Sequence, residues 1–475
     1  MELKARQLVI DPDNPFAGDL LGRQSEVENL TTLLSNLNPP MVLAVNGRWG
    51  AGKTTFVQMW ASYLKQKGLP VLSFNAWETD FSEDPLVAFL GEMNQNLGEY
   101  LTNSGAVTES WERCKKVGGE IAKRAIPGLV RIATAGVINV NELIQGEAVE
   151  LLGTAATDAV KSYEQTRSAI GEFKEMLANV ITEANMQLPL VIFVDELDRC
   201  RPTYAIQLLE RIKHLFDQPE IVFVLSLDLE QLCHSIRAVY GEGLDAAGYL
   251  RRFIDIEYTL SSPSPEVYIQ QLYTSFGLSE YFEVRKKYRE FQYDSEHLVQ
   301  SLCWMCQTFD YTLRDIEQLF SRVNLALRAT PEDRFMFPSL LVFLIVLKDT
   351  NTGIYRAFIR DNGEVAPVID YLYSLMPKEQ RLNNFHFSVL EGLLLASKAQ
   401  TDKSCDERLL GYRRILQANE AGQDEVQYAE RTYADTIIHV LKDHTGARAR
   451  VSLKELFHRI ELISQFKFPE QEENS

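Results

Sequence analysis

Residues 41–56, MVLAVNGRWGAGKTTF, constrain the fold more than any other stretch of the chain. The apolar run Met41 to Asn46 reads as a strand covered on both faces. Gly47, Arg48, Trp49, Gly50, Ala51 and Gly52 follow as a glycine-rich turn, and Lys53, Thr54 and Thr55 open a helical pattern. The spacing G-x-x-x-x-G-K-T between a strand and a helix is one that cradles phosphate. Glycines at these positions let successive backbone N–H groups turn inward on an anion, and the positive end of the following helix points at the same place. Lys53 offers a compact charge for the β- and γ-phosphates of a nucleotide, and the Thr54 hydroxyl is a candidate ligand for Mg²⁺. Trp49 is open to two readings, stacking near the nucleotide or packing.

The stretch LPLVIFVDELDR, Leu188 to Arg199, supplies the complementary chemistry. Asp195 ends a buried strand, where a carboxylate can hold the metal, and Glu196 follows in the place to orient and deprotonate an attacking water. Asp198 and Arg199 either extend this cluster or form a local ion pair at the start of the next helix. A further strand, IVFVLSLDLEQL, ends in Ser226 and Asp228. If it lies beside the Asp195 strand, one of these can sense the γ-phosphate; Asp228 also has the spacing of a helix N-cap. Arg251 and Arg252 stand just before a fifth strand and are candidates for neutralising transition-state charge, in cis or from a neighbouring copy, with surface salt bridges as the alternative. No N-K-x-D guanine-reading segment occurs, so adenine is the default base and ATP with Mg²⁺ the expected ligand.

Strands at Met41 to Asn46, Val71 to Asn75, Leu188 to Val194 and Ile221 to Leu227, with a fifth near Phe253 to Tyr258, alternate with helical stretches, as βαβ units in a parallel sheet do. The pattern predicts an α/β domain over residues 1–265 with a helical insertion at about 85–187. After the breaker cluster at 261–265 the spacing is helical almost to the end, so 266–475 is expected to be all-α.

The balance of 48 basic against 66 acidic residues, a net charge of -18, weighs against an unselective nucleic-acid coat. The N-terminal MELKARQLVIDPDNPF has no apolar region of the kind that directs secretion, so a cytoplasmic location is expected. The apolar run Phe335 to Leu347 is too short to cross a bilayer, and Ala125 to Val140 carries Arg131 in its middle; no integral span is expected. Basic residues of the insertion, Arg113, Lys115, Lys116, Lys123, Arg124 and Arg131, could rest on an anionic membrane or a partner, or form a solvated helix face. Cys303 and Cys306 have no second pair to complete a zinc site and are expected in the core.

Taken together, DLLGRQSEVENL, GRWGAGKTTF, LSFNAWETDFSEDPL, FVDELDRCRPTYAIQLLERIKHLFDQPEIVFVLSLD, YLRRFIDIEYTLSSP and YTLRDIEQLF resemble the KAP family of P-loop NTPases, over most of residues 19–328. The resemblance implies an additional-strand sheet, with the segment after Phe74 pairing outside and the Asp195 strand next to the neighbour of the phosphate-loop strand. It implies that Asn75 and Trp77 mark the end of the second strand and that Arg314 is a lid-helix arginine near the phosphates. The family's usual proline before that tryptophan is Ala76 here. Many members carry membrane spans between the second strand and the metal-binding Asp, whereas here that region is weakly apolar, so a soluble or peripheral protein is expected. The expected activity is ATP hydrolysis driving a conformational switch, with the helical region from Glu266 reporting the nucleotide state to a protein partner and self-association a further expectation; by resemblance, bacterial members are often linked to defence against phage. The alternatives are a structural ATP-binding scaffold and a DNA-stimulated motor or loader.

Overall fold

The computed structural model describes the chain except residues 1–8, 20, 37–39, 97–104, 135–147, 262–263, 361, 418–424, 446–452 and 466–475. At 105–106, 123–134, 148–163, 425–427, 445, 453 and 463–465 it describes the backbone alone. The chain divides into two compact units, one over residues 8–262 and one over 263–474.

The first unit is built on five parallel strands: β1 (Met41–Asn46), β2 (Val71–Asn75), β3 (Leu190–Asp195), β4 (Ile221–Leu227) and β5 (Ile256–Thr259). Their order is β2-β3-β4-β1-β5, so β4 separates β3, which ends in Asp195, from β1, which leads into the glycine-rich loop, and β2 lies outside. The additional-strand arrangement expected from the sequence is therefore the one observed. Around the sheet run α1 (Gln24–Asn36), α2 (Lys53–Gln66), α3 (Pro85–Asn96), α4 (Gly105–Thr134), α5 (Ala148–Glu183), α6 (Pro202–Leu215), α7 (Leu229–Tyr240) and α8 (Ala246–Leu250). The insertion is helical, in α3, α4 and α5. Of its basic residues, Arg113 and Lys115 pair with Glu109 and Glu112 on their own helix. The side chains of Lys123, Arg124 and Arg131 lie outside the described residues.

Strand periodicity sorts the sheet residues onto two faces. Leu190, Ile192 and Val194 of β3, with Ile221, Phe223 and Leu225 of β4, share one core with α3 and α6. Val191 and Phe193, with Val222 and Val224, share the other with Val27 and Leu30 of α1 and Phe56, Trp60 and Leu64 of α2. Every residue of β4 is buried, which accounts for its sequence being apolar at every position but Ser226. Phe193, 1% exposed, meets Trp60 edge-on at 5.4 Å and ties α2 to β3. Replacing Phe193 with alanine should destabilise the unit by about 3–5 kcal/mol, seen as a lower midpoint in urea denaturation.

Two strands differ from their predicted limits. β3 starts at Leu190, after the exposed Leu188, and runs on to include Asp195. β5 starts at Ile256 rather than Phe253, because Arg252 and Phe253 turn back onto Tyr249 and Leu250, and the Asp255 carboxylate accepts the Val42 N–H at 2.8 Å.

The second unit is helical throughout its described residues. Its core includes the helix Pro338–Thr350, buried continuously from Pro338 to Leu347, so the most apolar run in the sequence is a core helix. Cys303 and Cys306 are buried free thiols on the helix Asp294–Thr308, and burial pushes the Cys306 thiol up to about 12. Among the described residues, no helix is long and apolar enough to cross a membrane and no cluster of acidic, His or Cys residues has the makings of a metal site of three or more ligands.

Candidate nucleotide site

The site is set by strand register. Asn75 stands opposite Asp195, and Asp195 opposite Ser226, at the carboxyl ends of β2, β3 and β4. By the period of two, Asp195 shares the face of Val191 and Phe193, and Ser226 that of Val222 and Val224, the face packed by α2. Carboxyl ends of parallel strands are where open α/β sheets bind ligands. The loop that follows Asn46 begins at the same edge, with the Gly47 N–H donating to the Leu227 carbonyl at 3.2 Å.

Gly50 at φ +80° and Gly52 at φ +84° take the left-handed conformations that let the loop curl. Gly52 is also the N-cap of α2 and has no side chain to bond the first-turn amides, which leaves that helix start suited to an anion. Lys53 folds back on its own loop, its Nζ donating to the Gly47 carbonyl at 2.7 Å and the Arg48 carbonyl at 3.3 Å. Burial draws its ammonium below the usual lysine range, opposed by the charges of Asp198, Asp228 and Asp195. The one ammonium of the loop thus faces three carboxylates, and Thr54 is exposed at the head of α2.

Glu196 is 5% exposed and sits at φ +61°, a strained setting for a non-glycine residue. Its Oε1 pairs with Arg199 Nη1 at 2.6 Å and its Oε2 accepts from Asn75 Nδ2 at 3.1 Å. The Arg199 guanidinium also lies over the Trp77 ring, 5.5 Å from its centroid. Asn75, expected only to mark the end of a strand, therefore also bonds the Glu196 carboxylate. A local Asp198–Arg199 ion pair does not form: Arg199 bonds Glu196, and Asp198 Oδ2 accepts the indole N–H of Trp49 at 2.6 Å. Burial raises the Asp198 carboxyl above its usual range, partly offset by Lys53 and by Trp49. Asp228 caps α7, its Oδ1 accepting from the Glu230 and Gln231 amides, and its Oδ2 also accepts the Trp49 backbone N–H at 3.3 Å. Ser226 is fully buried, and its hydroxyl has no hydrogen-bond partner within the protein.

Arg251, at the end of α8, is largely exposed and pairs with Asp245 at 3.7 Å, while Arg252 lies over the Tyr249 ring. Both of these contacts are made to residues of the α8 segment and its N-cap. Arg314 belongs to the second unit, in the first turn of the helix Leu313–Arg328, behind a capping box made by Thr312 and Asp315.

The residues present fit a Mg²⁺–nucleotide: an uncapped helix start, a lysine among acids, a hydroxyl at Thr54, a carboxylate at Asp195 and an orphaned buried hydroxyl at Ser226. The KAP family P-loop domain matches the chain over residues 23–329. No curated protein matches it. Among solved structures, the ORC2 protein of Aeropyrum pernix, described in ADPNP-ADP complexes, is similar at 12% identity over 94% of each chain, with a TM-score of 0.30.

Proposed function

The chain belongs to the KAP family of P-loop domains, and from that premise we propose that it binds and hydrolyses ATP with Mg²⁺ and uses the cycle to change shape. The observation that carries this reading is the register: Asp195 and Ser226 adjoin on the α2 face of the sheet, beside the strand that feeds the phosphate loop. In this reading Lys53 leaves the carbonyls of Gly47 and Arg48 for the β- and γ-phosphates, while the loop amides and the start of α2 hold the remaining phosphate oxygens. Thr54 and Asp195 would hold Mg²⁺, which when bound neutralises phosphate charge. Glu196 takes the proton of the attacking water once it is released from Arg199 and Asn75, and Ser226 donates its unpartnered hydroxyl to the γ-phosphate or the water. Arg251 and Arg252 act in trans if the chain self-associates, and Arg314 serves as the residue through which the helical region senses phosphate.

Purified protein should release phosphate from MgATP in preference to MgGTP, and chelation of Mg²⁺ should stop it. A Ser226→Ala variant should slow turnover by about tenfold with affinity little changed, read as the kcat and KM of phosphate release. Equal rates for the two enzymes would remove Ser226 from the site.

A second reading, an ATP-binding scaffold with negligible turnover, is favoured by the double hold on Glu196, which ties up the base. A DNA-driven motor is the least supported at a net charge of -18, and phosphate release unaffected by added DNA would dismiss it. A protein partner bound through residues 266–475 and a role in anti-phage defence complete the proposal. For the latter, phage plating on bacteria carrying the wild-type or Lys53→Ala gene is the direct test.

A further inference from the structure

Trp49 is the residue of the phosphate loop whose chemistry the motif does not require, and it makes two long-range contacts from that loop. Its indole is 45% exposed, too open for a core-packing role. The residue nevertheless donates two hydrogen bonds to two buried carboxylates on different strand ends. The indole N–H reaches Asp198 Oδ2 at 2.6 Å, in the short 3-10 turn Leu197–Arg199 that follows β3. The backbone N–H reaches Asp228 Oδ2 at 3.3 Å, at the junction of β4 with α7. Asp198 and Asp228 are only 6% and 7% exposed, so each needs such donors to offset the cost of burying a carboxylate.

Resting on the ATP-site reading above, we infer that Trp49 and Asp198 are a positioning pair, a strut that holds the phosphate loop in its binding shape before nucleotide arrives. Two consequences follow from the geometry. Gly50 and Gly52 give the loop a large conformational freedom, and tethering Trp49 between them and Gly47 removes part of that freedom ahead of binding, which raises affinity. The indole also occupies Asp198, so that Lys53 bonds to the carbonyls of Gly47 and Arg48 instead of to this carboxylate and stays available to phosphate. The strut touches no reacting atom in this account; its effect is expected in binding far more than in the chemical step.

The test uses the full chain and the variants W49F, D198A, W49F/D198A and D198N. Titration with MgATP should show the dissociation constant rising about tenfold in W49F and in D198A, with kcat changing less than threefold. The double variant should be no weaker than the worse single one, since both remove the same bond. D198N, which keeps an acceptor oxygen for the indole, should return affinity to within about threefold of wild type. Urea midpoints without nucleotide report whether a loss of affinity is merely a loss of fold. Independently of nucleotide, the emission of Trp49, isolated by subtracting the W49F spectrum, should shift in D198A and return in D198N. Additive losses in the double variant, unchanged affinity in W49F, or a Trp49 spectrum indifferent to D198A would each overturn the strut. Failure of the wild type to bind MgATP would end the ATP-site reading and the positioning role together, and the spectral shift would tell that case from a missing contact.

Discussion

Replacing Lys53 with alanine should weaken MgATP binding by at least about a hundredfold, near 2.7 kcal/mol, while the protein stays folded. The size of the effect comes from what surrounds the ammonium. Asp195, Asp198 and Asp228 all act on Lys53, so its removal deletes charge-assisted bonds to phosphate and also leaves three carboxylates facing an incoming polyanion. The fold should tolerate the change, because the Lys53 ammonium is bonded only to carbonyls of its own loop and α2 is anchored elsewhere, by Phe56, Trp60 and Leu64 in the core. Titration calorimetry against MgATP, with a urea melt alongside, measures both halves of this expectation. Wild-type affinity in the alanine variant would place the nucleotide somewhere other than this loop.

The second large effect is expected at Glu196. A glutamine there keeps the side-chain shape and one acceptor oxygen for Asn75 but cannot take a proton, so phosphate release should fall about 10²- to 10⁴-fold with ATP still bound. The same variant loses the charge that pairs with Arg199 at 2.6 Å, and the change at the guanidinium should show as a changed Trp77 environment, since Arg199 lies over that ring. Single-turnover phosphate release, measured beside nucleotide affinity, separates the two readings of the protein. Tight binding with turnover abolished identifies Glu196 as the base of a hydrolytic cycle. Turnover already negligible in the wild type, and no lower in the variant, identifies a scaffold that holds its nucleotide unreacted.

The local parts of this site were legible in the sequence, and the long-range parts were not. The limits of β1 and β4 follow from the apolar runs Met41 to Asn46 and Ile221 to Leu227, because strands buried on both faces admit little else, and β2 from the short run Val71 to Asn75, in which only Ser73 is exposed. The Asp228 N-cap was legible too, since capping acts over the next few residues. β5 was misplaced toward Phe253 because apolar residues of a turn and of an edge strand look alike in sequence, and the side chain of Asp255 provides the bond to Val42. The contacts that organise the acids join residues far apart in the chain: Trp49 with Asp198, Asn75 with Glu196. Neither partner carries a local signal for the other, and only the β2-β3-β4-β1 order brings them together. Arg199 shows the reverse error. Adjacency suggested Asp198 as its partner, but Glu196 at the preceding left-handed position turns its carboxylate to meet the guanidinium.

A crystal structure of the protein with Mg²⁺ and a non-hydrolysable ATP analogue tests the central claim most directly. The phosphate chain should lie along the amides of residues 48–53 with Lys53 Nζ moved off the Gly47 carbonyl onto it, and the metal should be held by Thr54 and on the side of Asp195. Nucleotide bound elsewhere, or Lys53 still on its loop carbonyls with Asp195 turned away from the phosphates, would contradict it.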